Sequence, residues 1–273
     1  MARWLQAMFV AAAVASAWAT PSFADSSLQR VVAAKTLKVA VALNAPWVIR
    51  QPDGSYTGND IELVQLLAQD MGVRATFVEV PFADLIPAVA RGDVDMAVGG
   101  IAITPERALS AAFSTVTGAQ EINIVADRKA VGKDPAKAMA APGFRISALK
   151  QSTDAAAARA YFPKADIVEY PSAGAALAAL IDGEVQAMAA TAPVPRMAAS
   201  LYDAKLRLVG DPIARAAEAF ALRPDDERLR TYMNNWIAAR TVDGTISQTG
   251  ARWFDGRSWL RTAEGNVKAA PKP

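Results

Sequence analysis

The stretch "GGIAITPERA", residues 99 to 108, contains a charge whose place needs a chemical reason. Thr104 suits a helix N-cap, Pro105 suits the first helical position, and Glu106 complements the positive end of a helix dipole. Arg107 does the reverse. A cation in a first turn is mildly unfavourable unless it shares an anion with the free N–H groups, which is how a helix start becomes a carboxylate or phosphate site. The rest of the chemical inventory is narrow. The chain has no histidine and no cysteine, which removes the usual general base, the commonest metal ligand, the Ser/His and Cys/His nucleophile pairs and any disulfide. Enzymatic chemistry would have to use carboxylates, Lys or Tyr. The acidic run "RPDDERLR", residues 223 to 230, lacks the alternating oxygen ligands and glycine of a calcium loop and reads as a helix start with acids in its first turn. No metal or cofactor is expected.

With 273 residues, 52% hydrophobic content and a formal charge of +2, the chain can bury a large core and gives no electrostatic reason to expect nucleic acid. Arg3, the apolar segment from Ala7 to Ala19 and the small residues at Ser22 and Ala24 predict an export signal over residues 1–24, with a mature chain from Asp25. That segment is shorter than the ~20 residues a spanning helix needs, and no later one is long enough. An exported chain without disulfides fits a bacterial periplasm.

The elements that must position Arg107 follow from periodicity. "LKVAVAL" (37–43) reads as a buried strand, "NAPW" and "QPDGSY" as loop and turn, and Asn59 or Asp60 as the cap of a helix carrying Ile61, Val64, Leu67 and Met71 at helical spacing. "RATFVEV" is a strand, Phe82, Leu85, Ile86 and Val89 mark a short helix, and "DVDMAVGG" is a strand running into the Arg107 stretch. The same β-α-β-α-β order recurs in "FRISALK", Thr153 to Tyr161, "DIVEY", Ala173 to Ile181 and "VQAMAAT", with "GDVDMAV" from Gly92 echoed by "GEVQAMA" from Gly183. Two α/β lobes with parallel cores are predicted. The strands "EINIVADRK" (121–129) and "EAFALRPDD" (218–226) are placed as crossings between them. Lobe 1 is then 25–122 plus 218–273 and lobe 2 is 123–217, with a hinge above a cleft at the carboxyl ends of the strands, where Arg107 sits. The terminal "NVKAAPKP" reads as a disordered tail.

The segments "LKVAVALNAPW", "DGSYTGNDIELVQLLAQDMGV", "VPFADLIPAVARGDVDMAVGGIAITPERA", Phe113-Ser114, "KQSTDAAA", "NNWIAARTVDGTI" and "RWF" span nearly the whole mature chain. In that order they resemble the type II periplasmic solute-binding proteins of ABC importers, particularly the family 3 members that bind polar amino acids. The resemblance implies that Arg107 clamps a ligand carboxylate, with Gly99, Gly100 and Thr104 near it. Ser152 and Thr153 open the first helix of lobe 2; Thr153 matches the family's lobe-two hydroxyl and also suits an N-cap. Trp47 and Phe82 match positions that wall the ligand, although a Phe opening a helix is more often core. The departures are as informative. Amino-acid binders of this kind carry serine where this chain has Ala102, an aromatic where it has Asn44, and, at the position of Thr191, an aspartate that pairs with the ligand's ammonium group. A buried ammonium without a carboxylate partner costs several kcal/mol, so Thr191 argues against an ordinary α-amino acid unless another acid compensates. Asp154 and Glu218 are the candidates, Asp154 doubling as a first-turn acid and Glu218 opening the second crossing.

The leading expectation is a monomeric, non-enzymatic periplasmic receptor that captures a small carboxylate and delivers it to an inner-membrane ABC permease. Two alternatives stand beside it. Some proteins of this fold resemble cyclohexadienyl dehydratases, and "AEAFALRPDDERLRTYMNNWI" looks like their C-terminal region, with Glu218 as the one acid that could serve. An accessory or sensor binding protein is the other.

Overall fold

The computed structural model describes residues 27–256. The export signal over 1–24, the start at Asp25 and the tail "NVKAAPKP" lie outside the described residues. Lobe 1 opens with α1 (Ser27–Ala34) and β1 (Thr36–Val41), passes a hairpin of β2 (Ile49–Arg50) and β3 (Tyr56–Thr57), and continues through α2 (Asn59–Asp70) and β4 (Arg74–Glu79). A 3-10 turn at Phe82–Asp84 then leads to α3 (Leu85–Arg91), β5 (Met96–Val98), α4 (Pro105–Ala108) and β6 (Ala112–Phe113). The chain crosses on β7 (Gly118–Asp127) to α5 (Arg128–Val131), α6 (Pro135–Met139), β8 (Arg145–Leu149) and α7 (Thr153–Tyr161). Next come β9 (Asp166–Tyr170), α8 (Ala173–Asp182), β10 (Ala187–Thr191) and α9 (Val194–Leu201). It returns on β11 (Leu206–Glu218) and β12 (Ala221–Leu222) and finishes with α10 (Glu227–Val242) and α11 (Thr245–Phe254).

The two repeats have one plan. In lobe 1 the order β4-β1-β5 is parallel throughout, and in lobe 2 β9-β8-β10 is its counterpart. Each core is then extended by an antiparallel strand that has crossed from the other half: β12 pairs with β5, and β7 pairs with β10. Apolar runs explain the placement, since Val39, Ala40, Val41, Met96, Ala97 and Val98 are fully buried in one sheet and Ile146, Ala148, Ala187, Met188 and Ala189 in the other.

Three local expectations change. The return crossing is β11, not the segment from 218 to 226: residues 206–218 form one strand along β7 and absorb Gly210-Asp211-Pro212 in a register shift between Val209 and Ala214. Neither Asn59 nor Asp60 caps α2, whose N-cap is Gly58. Asp60 turns its carboxylate inward instead, accepting from the N–H groups of Gly99 and Gly100 at 2.9 and 3.0 Å. At α7 the cap is Ser152, whose Oγ accepts from Ala155 N at 3.2 Å, so Thr153 is the first helical residue and not the cap.

Candidate functional site

Parallel strands expose their last residues at one edge of a sheet, and most of the candidates lie there. Asn44 follows β1, Phe82 follows β4, Gly99 to Arg107 follow β5, Ser152 and Thr153 follow β8, and Thr191 ends β10. The two lobes face each other across these edges.

Arg107 is the most constrained of them. Thr104 caps α4 through its hydroxyl, which accepts from Arg107 N at 3.1 Å. The helix is a single turn, Pro105–Ala108, so Arg107 belongs to its last turn as much as its first and the dipole has little hold on it. Its side chain is set by contacts instead. Nη1 donates to the carbonyl of Ala102 at 2.9 Å, Nη2 donates across the cleft to the carbonyl of Gln151 at 3.2 Å, and the guanidinium lies 5.5 Å from the centre of the Phe82 ring. Burial lowers the Arg107 pKa, opposed chiefly by the nearby charge of Asp154. Arg107, Phe82, Thr104, Ser152 and Thr153 all line one cavity of about 790 Å³ between the lobes.

The other candidates do not line this cavity. Asn44 Nδ2 donates to Gly99 O at 3.0 Å, pinning the turn that leads to Arg107. Ala102 is buried and bridges antiparallel to Glu218, with Ile103 N donating to Ala217 O at 2.8 Å, so the return crossing holds the Arg107 loop directly. Trp47 is 2% exposed: its indole packs against Gly100, where a Cβ would come within 2.7 Å of the ring, and against Phe254, and its Nε1 donates to Glu218 at 2.9 Å. Gly100 also has φ of 70°, a second reason for glycine there.

Glu218 lies apart from the Arg107 cavity. It lines a second recess of about 830 Å³ with Thr117, Gly118, Pro193 and Met197. Its Oε2 accepts from Trp47 and from Gln120 Nε2, both at 2.9 Å. Burial and the charge of Asp60 push its pKa up to about 7, and burial raises Asp60 as well.

Asp154 is the group whose placement the sequence leaves open. It is 7% exposed, and its Oδ1 accepts from the hydroxyl of Thr191 at 2.8 Å. Burial pushes its pKa up to about 6, with Thr191 and the charge of Arg107 acting in the other direction. The sequence does not single out Asp60, Gln120 or Gln151 as site residues. For Asp60 the one available signal is an acid in the first turn of an amphipathic helix, which ordinarily reads as a dipole partner.

Among the described residues no group of three or more acidic side chains could hold a metal ion, and no helix is long and apolar enough to cross a membrane.

Comparison with known proteins bears on the same architecture. The family model of the bacterial extracellular solute-binding proteins, family 3, matches residues 37–256. The cyclohexadienyl dehydratase of Pseudomonas aeruginosa is 25% identical over 237 residues, covering 85% of this chain and 88% of its own. The ABC transporter arginine-binding protein 1 of Escherichia coli K12 is 27% identical over 207 residues, covering 74% and 83%. An ancestral amino acid-binding protein described as a precursor of cyclohexadienyl dehydratase superposes with a TM-score of 0.77 at 28% identity, covering 84% of this chain and 100% of that one. The putative binding component of an ABC transporter from Wolinella succinogenes, complexed with lysine, superposes with a TM-score of 0.76 at 20% identity over 83% and 99%, a likeness of fold.

Proposed function

The chain belongs to the bacterial extracellular solute-binding proteins, family 3, and we propose that it is a periplasmic receptor that closes on a small carboxylate-bearing solute and passes it to an inner-membrane ABC permease. The observation that carries this reading is Arg107. Its guanidinium is partly buried beside a cavity of about 790 Å³, and its partners there are neutral carbonyls of Ala102 and Gln151, one from each lobe. A carboxylate entering the cleft would replace neutral acceptors by a charge-assisted, two-pronged bond. Thr104, Thr153 and Phe82 supply the adjacent wall, and the crossings β7 and β11 supply the hinge.

Calorimetry on a panel of small carboxylates tests the assignment. Arg107→Ala is expected to lower affinity by roughly 100-fold or more, in line with losing a buried charge-assisted pair. Unchanged binding by this variant would mean that Arg107 is not the clamp.

A second reading is a dehydratase, favoured by the 25% identity to the Pseudomonas aeruginosa enzyme and by buried acids at Asp154 and Glu218 with pKa values in a general-acid range. The geometry weighs on the other side. Glu218 already accepts from Trp47 and Gln120 and lines a different recess from Arg107. Incubation with prephenate or arogenate is therefore expected to give no aromatic product, and product above the uncatalysed background would establish the enzymatic reading.

A further inference from the structure

The turn that leads from β5 toward Arg107 is held by side chains. Gly99 and Gly100 have φ of 142° and 70°, outside the strand conformation, and all four of their main-chain polar groups meet side-chain partners. Asp60 Oδ2 accepts from both N–H groups at 2.9 and 3.0 Å, Asn44 donates to Gly99 O at 3.0 Å, and Gln120 donates to Gly100 O at 2.8 Å. Gln120 Nε2 also donates to Glu218 at 2.9 Å, as does the indole of Trp47 that packs against Gly100. Gly100 thus lies between two buried acids, with Asp60 on its N–H and Glu218 reached through Gln120 on its carbonyl. Asp60, Gln120 and Glu218 do not line the Arg107 cavity.

An enclosure of this kind holds one negative charge far more readily than two. Asp60 accepts from three N–H groups, counting Asn59 Nδ2 at 2.9 Å, and Glu218 from two, so the charge rests on Asp60 and the proton on Glu218. Burial and the charge of Asp60 raise the Glu218 pKa to about 7, which makes that proton labile near neutrality. The other charges lining its recess give it no counterion. Glu121 on β7 is paired with Arg196 on α9 and Arg215 on β11, at 3.1 and 3.0 Å, and Asp255 after α11 is exposed. Gly118 has no room even for a methyl group beside Glu218 Oε1, so an ionised Glu218 is crowded on that side. Its way to water is the recess of about 830 Å³, and turning there would release Gln120 and Trp47.

We propose that Asp60 and Glu218 are positioning residues for Arg107: while they carry one negative charge between them the Gly99–Gly100 turn is locked, and ionisation of both loosens the turn and weakens the grip of Arg107 on its ligand. This rests on the reading of Arg107 as the carboxylate clamp. The sign follows directly: binding is tight while Glu218 holds its proton and is lost as pH rises through its titration.

Two measurements on the full chain from Asp25, between about pH 6.5 and 8, test it in a window where Asp154, raised to about 6, is already largely ionised. The first is NMR of the Gly99 and Gly100 amides and the Trp47 indole N–H. Their signals are expected to titrate with a midpoint of about 7 in the wild type and to stay fixed in Glu218→Gln. The second is calorimetry with the proteinogenic L-amino acids as carboxylate probes, omitting histidine and cysteine because their side chains titrate near the same window. Affinity for the tightest probe should fall roughly fivefold or more across the window in the wild type and change by less than about twofold in Glu218→Gln. Turn signals that do not move in the wild type overturn the proposal without any variant, and signals that move equally in Glu218→Gln overturn it as well. So does a titrating turn with a flat wild-type affinity profile, because the turn then does not govern Arg107. If no probe binds at either pH, or Arg107→Ala binds like the wild type, the clamp reading itself has failed and the claim on affinity falls with it, while the NMR signals still decide whether the two acids hold the turn.

Discussion

Glu218 carries a carboxyl group that is only 5% exposed, beside the similarly buried Asp60. Its pKa is pushed up from 4.5 to about 7, first by burial and then by Asp60. Between those two pH values the folded protein keeps a proton that the unfolded chain has released, so stability falls as pH rises through that window. At about 1.4 kcal/mol per pKa unit the loss is on the order of 3 kcal/mol. Glu218→Gln keeps an oxygen for Trp47 and Gln120 and removes the charge. Urea midpoints measured at pH 5 and pH 8 should differ clearly for the wild type and less for this variant, in which the raised Asp154 still titrates. An equal difference in both would mean that the other raised acids, Asp60 and Asp154, set the pH response. Arg107, Asp154, Asp60 and Glu218 were all legible as charges, but the partner of each was not. A dipole-complementing acid and a buried one occupy the same position in the string of letters, and the difference is whether a strand lies against it.

At the scale of elements, the repeat is written in its helix endings. α3 and α8 both stop on a left-handed glycine, Gly92 with φ of 75° and Gly183 with φ of 80°, and both glycines donate back to carbonyls of the last turn. The next residues, Asp93 and Glu184, also reach back, to Ala88 O and Ala179 O. Thus the echo between "GDVDMAV" and "GEVQAMA" has a mechanical basis: each ends a helix and turns the chain into the buried strand that leads to the cleft. A methyl group at Gly183 would meet only the Lys205 ammonium within 4 Å, at 3.9 Å, so its replacement tests backbone conformation with little steric interference. Gly183→Ala is expected to cost about 1–2 kcal/mol, the usual penalty for a side chain in the left-handed region. A chemical-denaturation midpoint unchanged by this substitution would show that the turn is not held at positive φ. The order of strands and helices was readable because buried strands and amphipathic helices have different periods. The return crossing was less so, because Gly210 and Pro212 carry turn chemistry that pairing with β7 overrides.

Across the whole molecule, two strands carry the chain between lobes, and the same pieces of backbone hold the site. β11 reaches the loop that bears Arg107 through the bridge between Glu218 and Ala102, while β7 places Gln120, which donates to Gly100 O at 2.8 Å and to Glu218. The crossings are therefore bonded directly to the turn that leads to Arg107. The amino-acid string alone specified the repeated β-α-β-α-β units, the buried strands and the position of Arg107 after the last strand of its repeat, because those features depend on local periodicity and capping. Long-range packing decided which groups meet: Arg107 reaches Gln151 across the cleft, Trp47 turns under Gly100 to Glu218, and Asp154 is enclosed against Thr191. These pairs join residues 44, 171 and 37 positions apart. Burial strips them of the water that would otherwise satisfy each charge, and only the folded arrangement determines which group takes its place.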